Sequence, residues 1–174
     1  MNELGIIFRI AVSLTLFISG LSKLIHIKES IHYFRDWGLF LPAIGSVLGV
    51  LIPPIEILTG IALIKTNNLL IEIFAISIVF FLILINMKAV LDNDNKLCFC
   101  FGNVLKTRLG IGGLVHTIYL LIALFISIFI IKTEVANILY TCSLTSQILI
   151  VAVSILIFVN GLSIRLVLDN LASS

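Results

Sequence analysis

At 174 residues the chain is one domain long, with 60% hydrophobic residues, 11% charged residues and a net charge of +2. Soluble domains carry roughly 45–50% apolar and about 25% charged residues, and a globule of this size has too few buried positions to hide the difference. A soluble enzyme, a disordered tail and a secreted disulfide scaffold are thereby excluded, and the charge is too small and too dispersed to point to nucleic acid.

A mean hydropathy of +1.26 identifies an integral membrane protein whose first partner is the lipid bilayer. Crossing the hydrocarbon as a helix takes about 20 apolar residues. The sequence offers five such runs, about 4–24, 39–64, 69–90, 109–131 and 148–168. Transmembrane strands would be about half as long and would alternate in polarity, so the expectation is an all-α, polytopic membrane bundle forming a single domain over 1–174. The first run follows only Asn2 and Glu3, with no basic segment, and reads as a retained helix rather than a cleaved leader.

The connections are short. Ile25–Gly38 carries His26, Lys28, Glu29, His32, Arg35, Asp36 and Trp37, an interfacial composition with Trp37 as aromatic anchor. Lys65–Asn68 is a tight turn. Leu91–Arg108 begins with Asp92, Asn93, Asp94 and Asn95 and passes through Leu97–Phe101 to Gly102, and Lys132–Gln147 holds Cys142. An up-down order places the first and third loops and the C-terminus on one side, face B, and the other two loops on face A. Cys98 and Cys100 then lie at face B, and Cys142 lies roughly 34 Å away across a helix rising about 1.5 Å per residue. An intramolecular bridge between them is excluded by that count.

Charges within a span are costly and turn to a partner or a cavity. Glu56 lies deep in the second run, directly after Pro53 and Pro54, which remove two backbone donors. Arg9 in the first run can pair with Glu56 or with Glu72, tying helices together; alternatively Glu56 is a proton relay or ligand group. Nearer face B, Lys23, Asn86, His116, Asn160 and Arg165 share similar depths. Lys23 and Arg165 can snorkel to the headgroups, and His116 reads either as a hydrogen-bonded structural residue or as a site residue. Gly45 and Gly49 form a small-xxx-small pair suited to close helix packing.

Cys98-Phe99-Cys100-Phe101-Gly102 admits three readings. The cysteines can behave as small hydrophobes. They can be metal ligands, but two thiolates need further partners and His116 is the single nearby candidate, so no metal is expected. They can form a redox dithiol, in which a strained ring gives an oxidising disulfide and a nearby Lys23 or His116 favours the thiolate.

In order along the chain stand Arg9, Ser19-Gly20-Leu21-Ser22-Lys23-Leu24, Leu41-Pro42, Pro53-Pro54-Ile55-Glu56-Ile57 with Gly60, and Cys98-Phe99-Cys100-Phe101-Gly102. This order resembles the MauE branch of the DoxX-like membrane proteins, whose signature has Cys-Gly-Cys-Phe-Gly at the last position. Phe99 replaces that Gly, which stiffens the turn, and Leu97 stands where an acidic residue is expected. The resemblance implies a small helical bundle acting beside a thioredoxin-like partner in disulfide formation or maturation of an exported client. It is also similar in architecture to quinone-linked thiol oxidases such as the vitamin K epoxide reductase relatives, which implies a membrane quinone as electron acceptor and no covalently bound cofactor.

On this reading Cys98 and Cys100 exchange disulfides, Lys23 and His116 tune or move protons, and Arg9 and Glu56 form the intramembrane polar pair, in a multi-pass protein of a bacterial inner or plasma membrane. The rival is a non-catalytic maturation or immunity helper that holds a partner or a small amphiphile. Orientation divides the readings. Face B carries eight of the 11 basic residues (Lys23, Lys28, Arg35, Lys88, Lys96, Lys106, Arg108, Arg165) and face A three (Arg9, Lys65, Lys132). The positive-inside rule puts face B in the cytoplasm, whereas chemistry on an exported client needs it outside.

Overall fold

In the computed structural model, five helices are long and apolar enough to cross a membrane: α1 (Asn2–Ile25), α3 (Pro42–Lys65), α4 (Leu69–Leu91), α5 (Ile111–Ile130) and α6 (Leu144–Leu171). The structure describes residues 2–36, 41–92, 97–98, 107–108, 111–131, 135 and 143–171. Each predicted run is a helix, and their ends are set by local chemistry. Pro42 opens α3, where its missing N–H would have no helical partner in any case. Asn68 caps α4 by accepting from the Leu70 amide at 2.9 Å. The last span starts four residues earlier than its apolar run, at Leu144.

The segment expected as an interfacial loop contains a further helix, α2 (Ile27–Asp36), which lays Ser30 and Phe34 inward and keeps Lys28, His32 and Arg35 outward. Trp37 lies outside the described residues. Gly45 and Gly49 do serve close packing, and their partner is α2: a Cβ at Gly49 would stand 2.6 Å from Ile31 Cα, and one at Gly45 2.8 Å from Arg35 Cα. The site is chemically apt. Pro53 has no N–H to give the Gly49 carbonyl four residues earlier, and Ser30 Oγ donates to that carbonyl at 3.0 Å instead. Ser30→Ala, which leaves the carbonyl buried without this donor, is expected to lower stability by about 1–3 kcal/mol, read as a lower melting temperature of the detergent-purified protein.

α1 is the central element: 61% of its apolar window is buried, against 17% for α6, which runs along the periphery. Val12 and Leu16 of α1 pack with Leu63, Ala75, Val79, Leu120, Ala123 and Leu124 in the middle of the bundle. Under α2 a second cluster joins Phe34 to Leu82, Ile85 and Ala89, with the Phe34 and Phe81 rings stacked at 6.4 Å. Ile6, Ile10, Ile131, Val135 and Ile150 close the face-A end. Large apolar residues such as Leu58, Phe74, Phe129 and Leu156 point outward, as a surface solvated by lipid requires.

One departure from all-helical structure is a two-stranded antiparallel pairing, β1 (Leu97–Cys98) with β2 (Thr107–Arg108), in which Cys98 stands opposite Thr107. β2 packs on α5 and α6. Since α5 begins three residues after β2, the hairpin lies at the face-B end of those helices.

Candidate functional site

α1 and α3 run antiparallel in tight contact. A Cβ at Gly20 would stand 2.6 Å from the Pro53 carbonyl oxygen and 3.1 Å from Glu56 Cβ, and one at Gly60 2.9 Å from the Ser13 carbonyl oxygen. That register sets Glu56 beside Ser19 and the stem of Lys23. Lys23 Nζ donates to Glu56 Oε1 at 2.5 Å and Ser19 Oγ to Glu56 Oε2 at 3.2 Å, with Glu56 0% and Lys23 3% exposed. Ser13 Oγ donates to the Gly60 carbonyl one step further along the same seam.

The expected Arg9–Glu56 pair is therefore corrected. Arg9 lies ten residues before Ser19, about 15 Å along α1 at 1.5 Å per residue, too far for its side chain to reach Glu56. It takes the alternative acid: Arg9 Nη2 donates to Glu72 Oε1 at 2.6 Å and Nη1 to Asn67 Oδ1 at 2.8 Å. Lys23, expected to tune the cysteines or snorkel to the headgroups, is turned inward to the carboxylate. Two pairs at different depths thus replace one, each offsetting a charge that would be costly alone in low dielectric.

A second polar layer joins α4, α5 and α6. Arg165, 1% exposed, pairs with Asp169 four residues on, Nε to Oδ2 at 3.8 Å. His116 Nδ1 donates to the Gly161 carbonyl at 3.2 Å, and that bond fixes the ring's tautomer. Asn86 Nδ2 donates to the Leu82 carbonyl at 2.8 Å. Glycines make the approach feasible: a Cβ at Gly113 would collide with Asn86 Oδ1, and one at Gly112 would lie 2.8 Å from the Arg165 carbonyl oxygen. Asn160, grouped with these residues by depth, is exposed on the outer face of α6.

Between the two polar sets lies a cavity of about 10 Å3, lined by Thr15, Leu16, Ser19, Leu82, His116, Thr117, Leu120 and Arg165. Ser19 belongs to both, bonding Glu56 on one side and walling the cavity on the other. Sequence reasoning missed Ser19 as the link, Asn67 as an Arg9 partner and Asp169. The last had a readable signal, its i,i+4 spacing from Arg165; the first two depend on which helices meet.

Of the cysteines, the backbone of Cys98 is placed, in β1 at the face-B end, near the helix ends that carry Gly112, Arg165 and Asp169. Cys100, Phe99 and Cys142 lie outside the described residues. Among the described residues no group of three or more His, Cys, Asp or Glu could hold a metal ion.

The family model described as methylamine utilisation protein MauE matches residues 1–133, which take in α1 to α5 and the cysteine pair. No curated protein and no solved structure matches the chain.

Proposed function

The chain belongs to the MauE family, and from that premise we propose that it is a membrane thiol–disulfide redox protein in which Cys98 and Cys100 exchange disulfides with a thioredoxin-like partner. The observation that carries the reading is the position of Cys98, on a short hairpin seated at the end of a bundle whose interior holds His116, the Arg165–Asp169 pair and the Lys23–Glu56 pair.

The exchange balances between thiols alone. A partner thiolate attacks one sulfur of the Cys98–Cys100 disulfide, forming a mixed disulfide and releasing the other sulfur as a thiolate. The partner's second thiol resolves the intermediate, so two electrons and two protons pass to the pair and the partner leaves oxidised. An exported protein that acquires disulfides, in the plasma membrane setting of a bacterium, is the client this chemistry serves. Methylamine utilisation is one setting for such a client. His116 and Lys23 are the supporting residues for proton handling, and Arg9 and Glu56 hold the helices that carry them.

The rival reading, a non-catalytic helper that holds an amphiphile, draws on a lipid-facing groove of about 170 Å3 between α3 and α4, lined by Leu58, Thr59, Ala62, Ile71 and Phe74.

Cys98→Ser and Cys100→Ser are each expected to abolish disulfide exchange with a thioredoxin-fold substrate while the protein still inserts into the membrane. Full exchange by the double Ser variant overturns the proposal. In a Cys142→Ser background, a membrane-impermeant maleimide should label intact cells only after reduction. Labelling that needs broken cells but no reductant puts reduced thiols in the cytoplasm and favours the helper.

A further inference from the structure

The cavity between the two polar sets has a chemistry of its own. Its polar wall comes from four side chain types on three helices: the hydroxyls of Thr15 and Ser19 on α1, His116 and Thr117 on α5, and Arg165 on α6. The hydrogens of the lining hydroxyls are committed. Thr15 Oγ1 donates to the Ala11 carbonyl at 2.8 Å, Thr117 Oγ1 to the Gly113 carbonyl at 3.0 Å, and Ser19 Oγ to Glu56. What Thr15 and Thr117 still offer the cavity is lone pairs, whereas the Arg165 guanidinium is a donor with no acceptor capacity.

A volume of about 10 Å3 is at the size of one water. A water there can donate to two hydroxyl oxygens and accept from the guanidinium, within the two to four polar partners that buried waters make. Beside it, Asn86 Oδ1 is buried with no hydrogen-bond partner among the described residues. It sits next to the guanidinium, since a single Cβ at Gly113 would touch both Asn86 Oδ1 and Arg165 Nη2. A buried acceptor in that position is a further sign of internal hydration at this level of the bundle.

We propose that this cavity holds one ordered water which, through Ser19, links the Glu56–Lys23 pair to the His116–Arg165 layer and gives that pair proton access through that layer. The water site stands on the cavity alone; its use, in keeping protons available while the cysteine pair cycles between two thiols and a disulfide, rests on the redox function proposed above.

Hydroxyl-radical labelling of the detergent-purified full chain reads the water directly, because radicals form where water is bound. Leu16 and Leu120, at 1% and 4% exposure, should be oxidised several-fold faster than Val79 and Leu63, which are equally buried but away from the cavity. Leu120→Phe, which fills the space, should return Leu16 to the rate of Val79. Should Leu120→Phe fail to fold, the isosteric pair Thr15→Val and Thr117→Val removes the acceptors without changing the shape and should give the same loss.

Proton access is read from the infrared carboxylate band of Glu56, assigned by its disappearance in Glu56→Gln, as Lys23 and Ser19 exchange in D2O. Exchange should slow by about tenfold or more when the cavity is filled, since it then waits on opening of the bundle. Labelling of Leu16 and Leu120 no faster than of Val79 and Leu63, or exchange unchanged by filling, overturns the inference. If the double Ser variant keeps full exchange activity while the labelling holds, the redox function fails and the water site does not.

Discussion

Glu56→Ala is expected to lower the stability of the bundle by about 3–5 kcal/mol, because it leaves the Lys23 ammonium buried at 3% exposure without its carboxylate. The cause is the unpaired charge and not the loss of an attraction, and a second substitution separates the two. Glu56→Gln with Lys23→Met removes both charges while keeping the volume and an acceptor for Ser19. Replacing a buried pair by neutral groups of similar size is often neutral or stabilising, so the double variant should recover most of the loss. Melting of the detergent-purified protein, followed by helical circular dichroism, reads both. Equal losses in the single and double variants would show that the pair's geometry, rather than its charge balance, holds α1 to α3. This prediction also separates the structural role of Glu56 from any role in chemistry, since the double variant tests activity in a bundle that still stands.

Gly20→Ala is the second large effect. Its Cβ would stand 2.6 Å from the Pro53 carbonyl oxygen and 2.8 Å from the Ile57 Cγ1. The first neighbour is backbone of the continuous helix α3, so it cannot turn aside as a side chain could. Overpacking of this kind costs about 1–3 kcal/mol, occasionally more. The displacement would also separate Ser19 and Lys23 from Glu56, so the cost belongs at the upper end. Gly5→Ala is the comparison: its Cβ would meet side-chain atoms alone, Ile131 Cγ1 at 2.7 Å and Ile130 Cγ2 at 3.0 Å, and no backbone. The expected result is a clearly lower melting temperature for Gly20→Ala than for Gly5→Ala. Similar values for the two would mean that α1 and α3 can part at this point without loss.

The five spans were legible because the hydrocarbon imposes one rule on every residue along 30 Å, and a run of 20 or so apolar side chains satisfies it whatever the neighbours are. The small-residue pair Gly45 and Gly49 was legible as a packing site for a similar reason: an absent side chain is visible in the sequence. Its partner was not, and it proved to be α2, a helix too short and too polar to carry a membrane signal. The cysteine pair stood out through its spacing and through the order of the surrounding family residues, and the family match bears out the membership, not the roles.

The sequence by itself determined the class of the protein, the number and approximate positions of its spans, its family, and which residues carry charge inside the membrane. Tertiary structure decided the partners. Arg9 had two acids within reason, and only the antiparallel register of α1 on α3, set by Gly20 against Pro53 and Gly60 against Ser13, puts Glu56 about 15 Å away and leaves Glu72 in range. The same register turns Lys23 inward and makes Ser19 the link to the cavity, while the rotation of α6 includes Arg165 and Asp169 and leaves Asn160 outside. Depth follows from position along the chain, but azimuth depends on which helices touch, and a single polar residue in an apolar run carries no record of that.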